Sequence, residues 1–236
     1  MNKPIDVQVL LPVHNEAESI EKTIHEIYVE ISPKVNIEFI ICEDGSVDDT
    51  KNILRRLSDT YPIKLIMSDE RKGYSRAVKD GMKAMDAPYL LCLDSDGQCD
   101  PADFWKFWEA RTSADVLIGR RVKRADPSIR RVLSRTLYIV YKMFFNVPCH
   151  DPSCPFILAE KNVIDAIVDE TGSMQQGFWW EFTARSYLHR YRIKEIPINH
   201  RTRTAGKTQV YLVKHMPKIG LKHFLALFLI RFQKVK

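Results

Sequence analysis

The chain has 236 residues, 45% of them hydrophobic and 28% charged, the balance of a soluble globular protein with one sizeable core, or a core plus a small subdomain. Residues 7–11 are too short for a secretory signal and run straight into His14-Asn15-Glu16. No apolar run approaches the ~18–20 residues that span a bilayer, so a leader and a membrane span are not expected.

The charge is unevenly placed. Residues 185–236 hold 13 Lys and Arg against one acid, Glu195, a net +12; the whole chain is +6, which leaves −6 for residues 1–184. An acidic body with a basic C-terminal face suggests an anionic partner, either phosphates, a membrane surface or nucleic acid, or else a solvated basic surface. Nucleic acid is the least supported, because no aromatic-rich basic sheet motif accompanies the charge. Five cysteines are an odd number, and Cys42 and Cys92 fall in expected strands, so reduced thiols in a cytoplasmic protein are expected.

Residues 7–12 are a short apolar run and read as the first strand. Asn15-Glu16-Ala17-Glu18-Ser19 opens a helix to about residue 31, with acids in its first turn. Residues 37–42 form the second strand, Glu43 to Thr50 a polar turn, and a helix follows to about residue 58. Residues 63–67 form the third strand, and after Arg71-Lys72-Gly73 a helix runs to residue 85. Residues 89–93 form the fourth. Strand and helix alternate with short connections, which predicts an α/β fold with a mostly parallel sheet.

After Asp100 the pattern loosens. Residues 101–111 form a short aromatic helix and residues 116–119 a strand. A helix over about 129–145 is apolar nearly all round, so it is buried or lies against lipid. Residues 157–168 combine a strand end and a helix, 179–187 are helical, and 193–198 are a strand. The segment 210–232 is helical in pattern, with residues 224–230 apolar and Lys214, Lys218, Lys222, Arg231, Lys234 and Lys236 around them. That composition suits an interfacial helix, or one docked on the protein's own core.

The fourth strand ends in Asp94-Ser95-Asp96-Gly97-Gln98. Two carboxylates two residues apart project to one side of a continuing strand and repel. A divalent cation would neutralise them, since Mg²⁺ takes one or two protein carboxylates plus substrate phosphates; a solvated turn is the alternative. His14-Asn15-Glu16, Glu43-Asp44 and Lys72-Gly73 also follow strands, and ligands of such sheets gather at the strands' carboxyl ends.

Four stretches now line up in order. Pro12-Val13-His14-Asn15-Glu16 resembles P-x-Y/H-N-E, and Glu43-Asp44-Gly45-Ser46-Val47-Asp48-Asp49-Thr50 resembles D-D-G-S-x-D-x-T. Arg71-Lys72-Gly73 through Gly81 resembles N-K-G-x-x-x-A-x-x-x-G, and Asp94-Ser95-Asp96-Gly97-Gln98 resembles D-A-D-x-Q. Together, over about the whole length, the chain resembles the inverting glycosyltransferase family 2, in its polyprenyl-phosphate (dolichol-phosphate mannose synthase-like) branch. The resemblance implies a GT-A fold, nucleotide-sugar-binding and Rossmann-like, with helices on both faces of the sheet. It also implies a GDP-mannose or UDP-glucose type of donor, and Mg²⁺ or Mn²⁺. By position it assigns Pro12, His14, Glu16 and Asp44 to the nucleoside pocket, Asp44 facing the base, with Ser46, Lys72, Gly73 and Ser95 in the nucleotide-sugar site. It assigns Asp94, Asp96 and Gln98 to the metal and diphosphate, and Arg121, Arg130, Ser134 and Arg203 to the acceptor phosphate. Asp96, Arg121, Arg130 and Arg203 are then the expected catalytic set.

A lipid phosphate is already anionic and needs positioning rather than deprotonation, whereas a hydroxyl acceptor needs a base. The T/E-E-D base motif of hydroxyl-directed relatives is missing, which leaves Glu181 as the candidate base or as a structural carboxylate. The Q-x-x-R-W of processive synthases appears as Gln175-Gln176-Gly177-Phe178-Trp179, with Phe178 in place of Arg. The family's D-P-x-S-G-F appears as Asp151-Pro152-Ser153-Cys154-Pro155-Phe156, with Pro155 in place of Gly. The leading expectation is hexose transfer to a polyprenyl or dolichyl phosphate by a cytoplasmic protein held peripherally at the membrane, alone or through a membrane-anchoring partner. The rivals are transfer to a glycan or soluble hydroxyl with Glu181 as base, and a non-catalytic binding or scaffold protein. Residues 1–120 are expected to bind the nucleotide sugar, 121–209 the acceptor, and 210–236 to form the basic amphipathic helix.

Overall fold

The structure is a computed structural model; it describes residues 3–122, 128–201 and 216–233, with the backbone alone at 128–134 and 216–219. Strands β1 (Val7–Val13), β2 (Ile37–Asp44), β3 (Ile63–Ser68), β4 (Tyr89–Cys92), β5 (Val116–Arg121), β6 (Ile157–Glu160) and β7 (Ile193–Ile198) form one sheet. Its order is β3-β2-β1-β4-β6-β5-β7. The β1–β2, β2–β3, β1–β4 and β5–β7 pairs are parallel, and β6 runs antiparallel to β4 and β5. The helices are α1 (Ile20–Ile31), α2 (Thr50–Ser58), α3 (Tyr74–Lys83), α4 (Phe104–Ala110), α5 (Ser128–Phe144), α6 (Lys161–Ile167), α7 (Phe178–Leu188) and α8 (Met216–Phe232).

The first strand is buried along its whole length, as a central strand covered on both faces must be. From β1 the chain steps outward through β2 to β3, then returns past β1 to β4. Right-handed crossovers therefore put α1 and α2 on one face and α3 on the other. The packing agrees: α1 meets α2, while α3 lies on β1 and β2 and meets α6. A side chain at Gly81 would collide with Leu10 and Cys42, so α3 can lie that close to the sheet only with glycine there. The strand order reverses between β1 and β4, the place where open α/β sheets leave a crevice at their carboxyl ends.

The main core fills both faces of the sheet. A second apolar cluster joins α5, α7 and α8 around Tyr141, Phe145, Trp180, Leu227 and Ile230. One expected boundary is corrected. Residues 15–19 are not the first turn of a helix; α1 begins at Ile20. Asn15 is left-handed (φ 54°), and the backbone N–H groups of Asn15 and Glu16 donate to Ser46 and Thr50 instead of joining a helix. Among the described residues no helix is long and apolar enough to cross a membrane.

Candidate active site

The loop after β4 is built into the crevice. Ser95 is buried; its Oγ donates to the Pro12 carbonyl at 2.8 Å, and its own carbonyl accepts from Thr23 Oγ1 at 3.2 Å. Gly97 is left-handed (φ 71°), and the turn closes with Gln98 N–H donating to Asp96 Oδ1 at 3.1 Å. Asp94 accepts from the Tyr74 hydroxyl at 3.0 Å, and that hydroxyl accepts from Trp179 Nε1–H at 2.7 Å. Burial, and then the neighbouring Asp96 charge, push the Asp94 carboxyl up to about 7; Tyr74 and Arg121 pull the other way, and Glu16 adds to the rise. Asp94, Asp96, Glu16, Tyr74 and Arg121 thus share one electrostatic neighbourhood.

A divalent cation fits this donor set. It would relieve the repulsion between the two carboxylates, and Gln98, whose Nε2 is committed to the Arg201 carbonyl at 3.3 Å, offers its amide oxygen. Among the described residues no group of three or more His, Cys, Asp or Glu could hold an ion unaided. Substrate oxygens would have to complete the shell.

On the β1 and β2 side, His14 Nδ1 lies 2.7 Å from the Asp44 carbonyl. A carbonyl only accepts, so Nδ1 carries the proton, and Nε2 accepts from the Asn15 amide at 3.2 Å. Glu16 accepts from Ser19 Oγ at 2.6 Å. Ser46 N–H donates to the buried Glu43 carboxylate. Asp44, also buried, accepts from the backbone N–H groups of Lys72 (2.6 Å) and Gly73 (2.9 Å). Its carboxylate therefore grips the start of α3. The Lys72 ammonium pairs with Asp80 at 2.9 Å. Gly45 is left-handed (φ 64°), and a side chain there would strike the backbone at Glu70 and Arg71, so the two loops close only over glycine.

Across the crevice, Arg121 forks onto Asp151 through Nε (2.7 Å) and Nη2 (2.8 Å), and Nη2 also reaches Ser153 Oγ at 2.8 Å. Its guanidinium is mostly buried, and the Asp151 hydrogen bond and charge outweigh desolvation to raise its pKa. Asp151-Pro152-Ser153 thus holds the arginine in place. The 151–156 turn contains no residue with positive φ, so nothing in its backbone demands glycine at position 155. Arg130 and Ser134 lie on α5 where the backbone alone is described, and Arg203 lies outside the described residues, as do the expected helical residues 210–215.

Glu181 is fully buried. Its Oε1 accepts from Arg185 Nε (2.9 Å) and Nη2 (2.8 Å), and its Oε2 from the backbone N–H of Met174 (2.8 Å) and Gly172 (3.2 Å). Four donors fill the acceptor sites of one carboxylate. Sequence reasoning missed Tyr74 and Trp179, and read Asp151 only as part of a motif. A tyrosine directly after the loop glycine was the one available signal.

The comparisons with known proteins agree with this geometry. The family model described as "Glycosyl transferase family 2" matches residues 8–211. The chain belongs to that family. The dolichol-phosphate mannosyltransferase of Pyrococcus furiosus is 28% identical over 169 residues, 68% of this chain and 48% of that protein. Glycosyltransferase AglD of Haloferax volcanii is 28% identical over 227 residues, 92% of this chain and 36% of that protein. This family 2 chain therefore spans about half, or less, of the length of these curated relatives. Among solved structures, glucosyl-3-phosphoglycerate synthase from Mycobacterium tuberculosis, in complex with Mn²⁺, UDP and phosphoglyceric acid, superposes with TM-score 0.75 at 14% identity, covering 98% of this chain and 80% of that one. Mannosyltransferase PcManGT from Pyrobaculum calidifontis, in complex with GDP-Man and Mn²⁺, superposes with TM-score 0.66 at 19% identity, covering 99% and 66%. The fold is the GT-A fold.

Proposed function

We propose that this family 2 chain is an inverting glycosyltransferase that moves a hexose from a GDP- or UDP-sugar to a polyprenyl or dolichyl phosphate. Donor use is supported by the UDP and GDP-Man complexes of its structural neighbours, and the lipid-phosphate acceptor by the name of its Pyrococcus relative. The observation that carries the acceptor class is Glu181. The carboxylate that sequence offered as a base is buried and saturated, so it cannot take a hydroxyl proton. A phosphate needs none, and attacks the anomeric carbon from the face opposite the departing diphosphate.

The crevice supplies the remaining roles. Pro12, His14, Glu16, Asp44 and Ser46 line the nucleoside end, and Lys72, Gly73 and Ser95 flank the sugar diphosphate. Asp94, Asp96 and Gln98 would hold Mg²⁺ or Mn²⁺, which would supply charge neutralisation for the leaving diphosphate. Arg121, whose Nε and Nη2 are held by Asp151 and Ser153, keeps Nη1 for the acceptor phosphate, which it meets together with Arg130, Ser134 and Arg203. Residues 1–120 serve the donor, 121–209 the acceptor, and 210–236 the lipid surface.

A lipid acceptor calls for a protein that sits on the membrane, here at its cytoplasmic side, by itself or with an anchoring partner. Helix α8 suits that role. One side packs on Tyr141 and Trp180 through Ala226, Leu227 and Ile230. The other exposes Leu221, Phe224, Leu225, Phe228, Leu229 and Phe232, and the ring of Phe144 on α5 meets those of Phe224 and Phe228. At about 100° per residue, Lys222 and Arg231 fall on the two borders of that stripe. A basic-bordered apolar stripe matches anionic lipid and repels a second copy of itself.

The test is a turnover screen of purified protein with Mg²⁺ or Mn²⁺ and a panel of GDP- and UDP-sugars, with and without a short polyprenyl phosphate. Nucleoside diphosphate release that rises sharply with the lipid establishes the acceptor class and names the donor. Release indifferent to lipid but raised by a soluble acceptor refutes the lipid reading. A protein that neither turns over nor hydrolyses any donor refutes catalysis, leaving the scaffold reading.

A further inference from the structure

Tyr74 is not among the residues that any motif assigned, yet its hydroxyl touches Asp94, one of the acidic pair. Trp179 Nε1 is a donor only, so at 2.7 Å the Tyr74 oxygen must be the acceptor. The single Tyr74 proton is then committed to Asp94 Oδ1 at 3.0 Å. The relay runs one way, from Trp179 to Tyr74 to Asp94. It joins α7 to the N-terminus of α3 and to the end of β4. The residue before it, Gly73 (φ 97°), gives its N–H to Asp44 at 2.9 Å. Two consecutive residues thus hold the acids at the ends of β2 and β4, on either side of β1. Neighbouring hydrogen bonds tie α3 to the segment before α7: Ser75 Oγ donates to the Gln175 carbonyl at 2.7 Å, and Lys79 Nζ to the Thr171 carbonyl at 2.6 Å. The tyrosine is therefore braced from two directions.

We propose that Tyr74, oriented by Trp179, is a positioning residue for the cation–diphosphate site. Its hydroxyl fixes the rotation of the Asp94 carboxylate by occupying Oδ1, which leaves Oδ2 for a cation. The inference rests on the nucleotide-sugar reading of the same crevice, but not on the acceptor.

The experiment measures Mn²⁺ affinity from the free-Mn²⁺ electron paramagnetic resonance signal, with UDP and with GDP and no acceptor, for wild type, Tyr74→Phe and Trp179→Phe. Hydrogen-bond partners behind a metal ligand typically matter by 10–100-fold in metal affinity. Tyr74→Phe, which keeps the ring, is expected to weaken Mn²⁺ binding about 10-fold. Trp179→Phe should move it the same way by less, since the tyrosine keeps its proton but loses its orientation. Donor hydrolysis by Tyr74→Phe should return toward wild type as Mn²⁺ is raised, and nucleoside binding without metal should stay unchanged. Mn²⁺ affinity within twofold of wild type in Tyr74→Phe overturns the inference, and a lowered melting temperature with unchanged affinity reduces the relay to a tether. Wild type that binds no Mn²⁺ with either diphosphate overturns the nucleotide-sugar reading as well.

Discussion

Glu181→Gln separates the two acceptor classes. The carboxylate accepts two hydrogen bonds on each oxygen, from Arg185 on one and from the Met174 and Gly172 amides on the other. In glutamine one of those oxygens becomes an NH₂ group, so donors face donors on one side whichever way the amide turns. Arg185 keeps Glu170 at 3.2 Å but loses its fully buried counter-charge. Breaking a buried pair typically costs about 3–5 kcal/mol, and the remaining Glu170 contact puts this case near the lower end, about 3 kcal/mol. For a domain of this size that lowers the melting temperature by roughly 6–12 °C. The assay is paired: thermal unfolding, and donor turnover at low temperature where the variant stays folded. The expected result is a clear fall in melting temperature with turnover by the folded protein little changed. A general base contributes roughly 10²–10⁴-fold. A melting temperature within 2 °C of wild type, combined with a loss of turnover of about 100-fold, would refute the structural reading of Glu181 and the lipid-phosphate acceptor together.

Asp96→Ala should abolish turnover and metal-dependent donor binding by calorimetry; near-normal activity would mean the site is elsewhere. The Asp94 carboxyl, ordinarily near 3.8, stands near 7 in the folded, metal-free protein. Between those values the folded state holds a proton that the unfolded chain has lost, so this group's contribution to stability falls as pH rises from about 4 to about 7. A cation binds the ionised form, so the gain in melting temperature on adding Mn²⁺ should be larger at pH 8 than at pH 5.5; equal gains would contradict the crowded pair. Changing Leu225 and Phe228 together to Glu should abolish flotation with anionic phospholipid vesicles without unfolding the protein, because both are exposed. Unaltered flotation would remove α8 from the membrane, and a wild-type dimer that the variant dissociates would assign the stripe to a second copy.

The crevice at the ends of β1, β2 and β4 was largely legible because its signals are local. Apolar runs of strand length end in His14-Asn15-Glu16, Glu43-Asp44 and Asp94-Ser95-Asp96, and a reversal of strand order beside β1 gathers those ends into one crevice. What stayed hidden depends on partners remote in the chain. The relay to Asp94 spans 20 positions to Tyr74 on α3 and 105 more from Tyr74 to Trp179 on α7; the glycine before Tyr74 is its one local mark, and Trp179 has none. The misread start of α1 has the same origin, since Ser46 and Thr50, more than 30 residues away, take the amides a helix would have used. Glu181 resembled a base because sequence shows a carboxylate but not its donors. Residues 224–230 of α8 are all apolar, so composition could not choose between core and lipid. The fold answers that it serves the core on one side and leaves the other side open. The same reasoning sets the order in which residues should be tested. The acids identified by motif come first, then Tyr74 and Trp179, which hold Asp94, and then Arg121, which Asp151 and Ser153 hold across the crevice. Substitutions at Tyr74 and Trp179 report on the cation and diphosphate, and those at Arg121 on transfer.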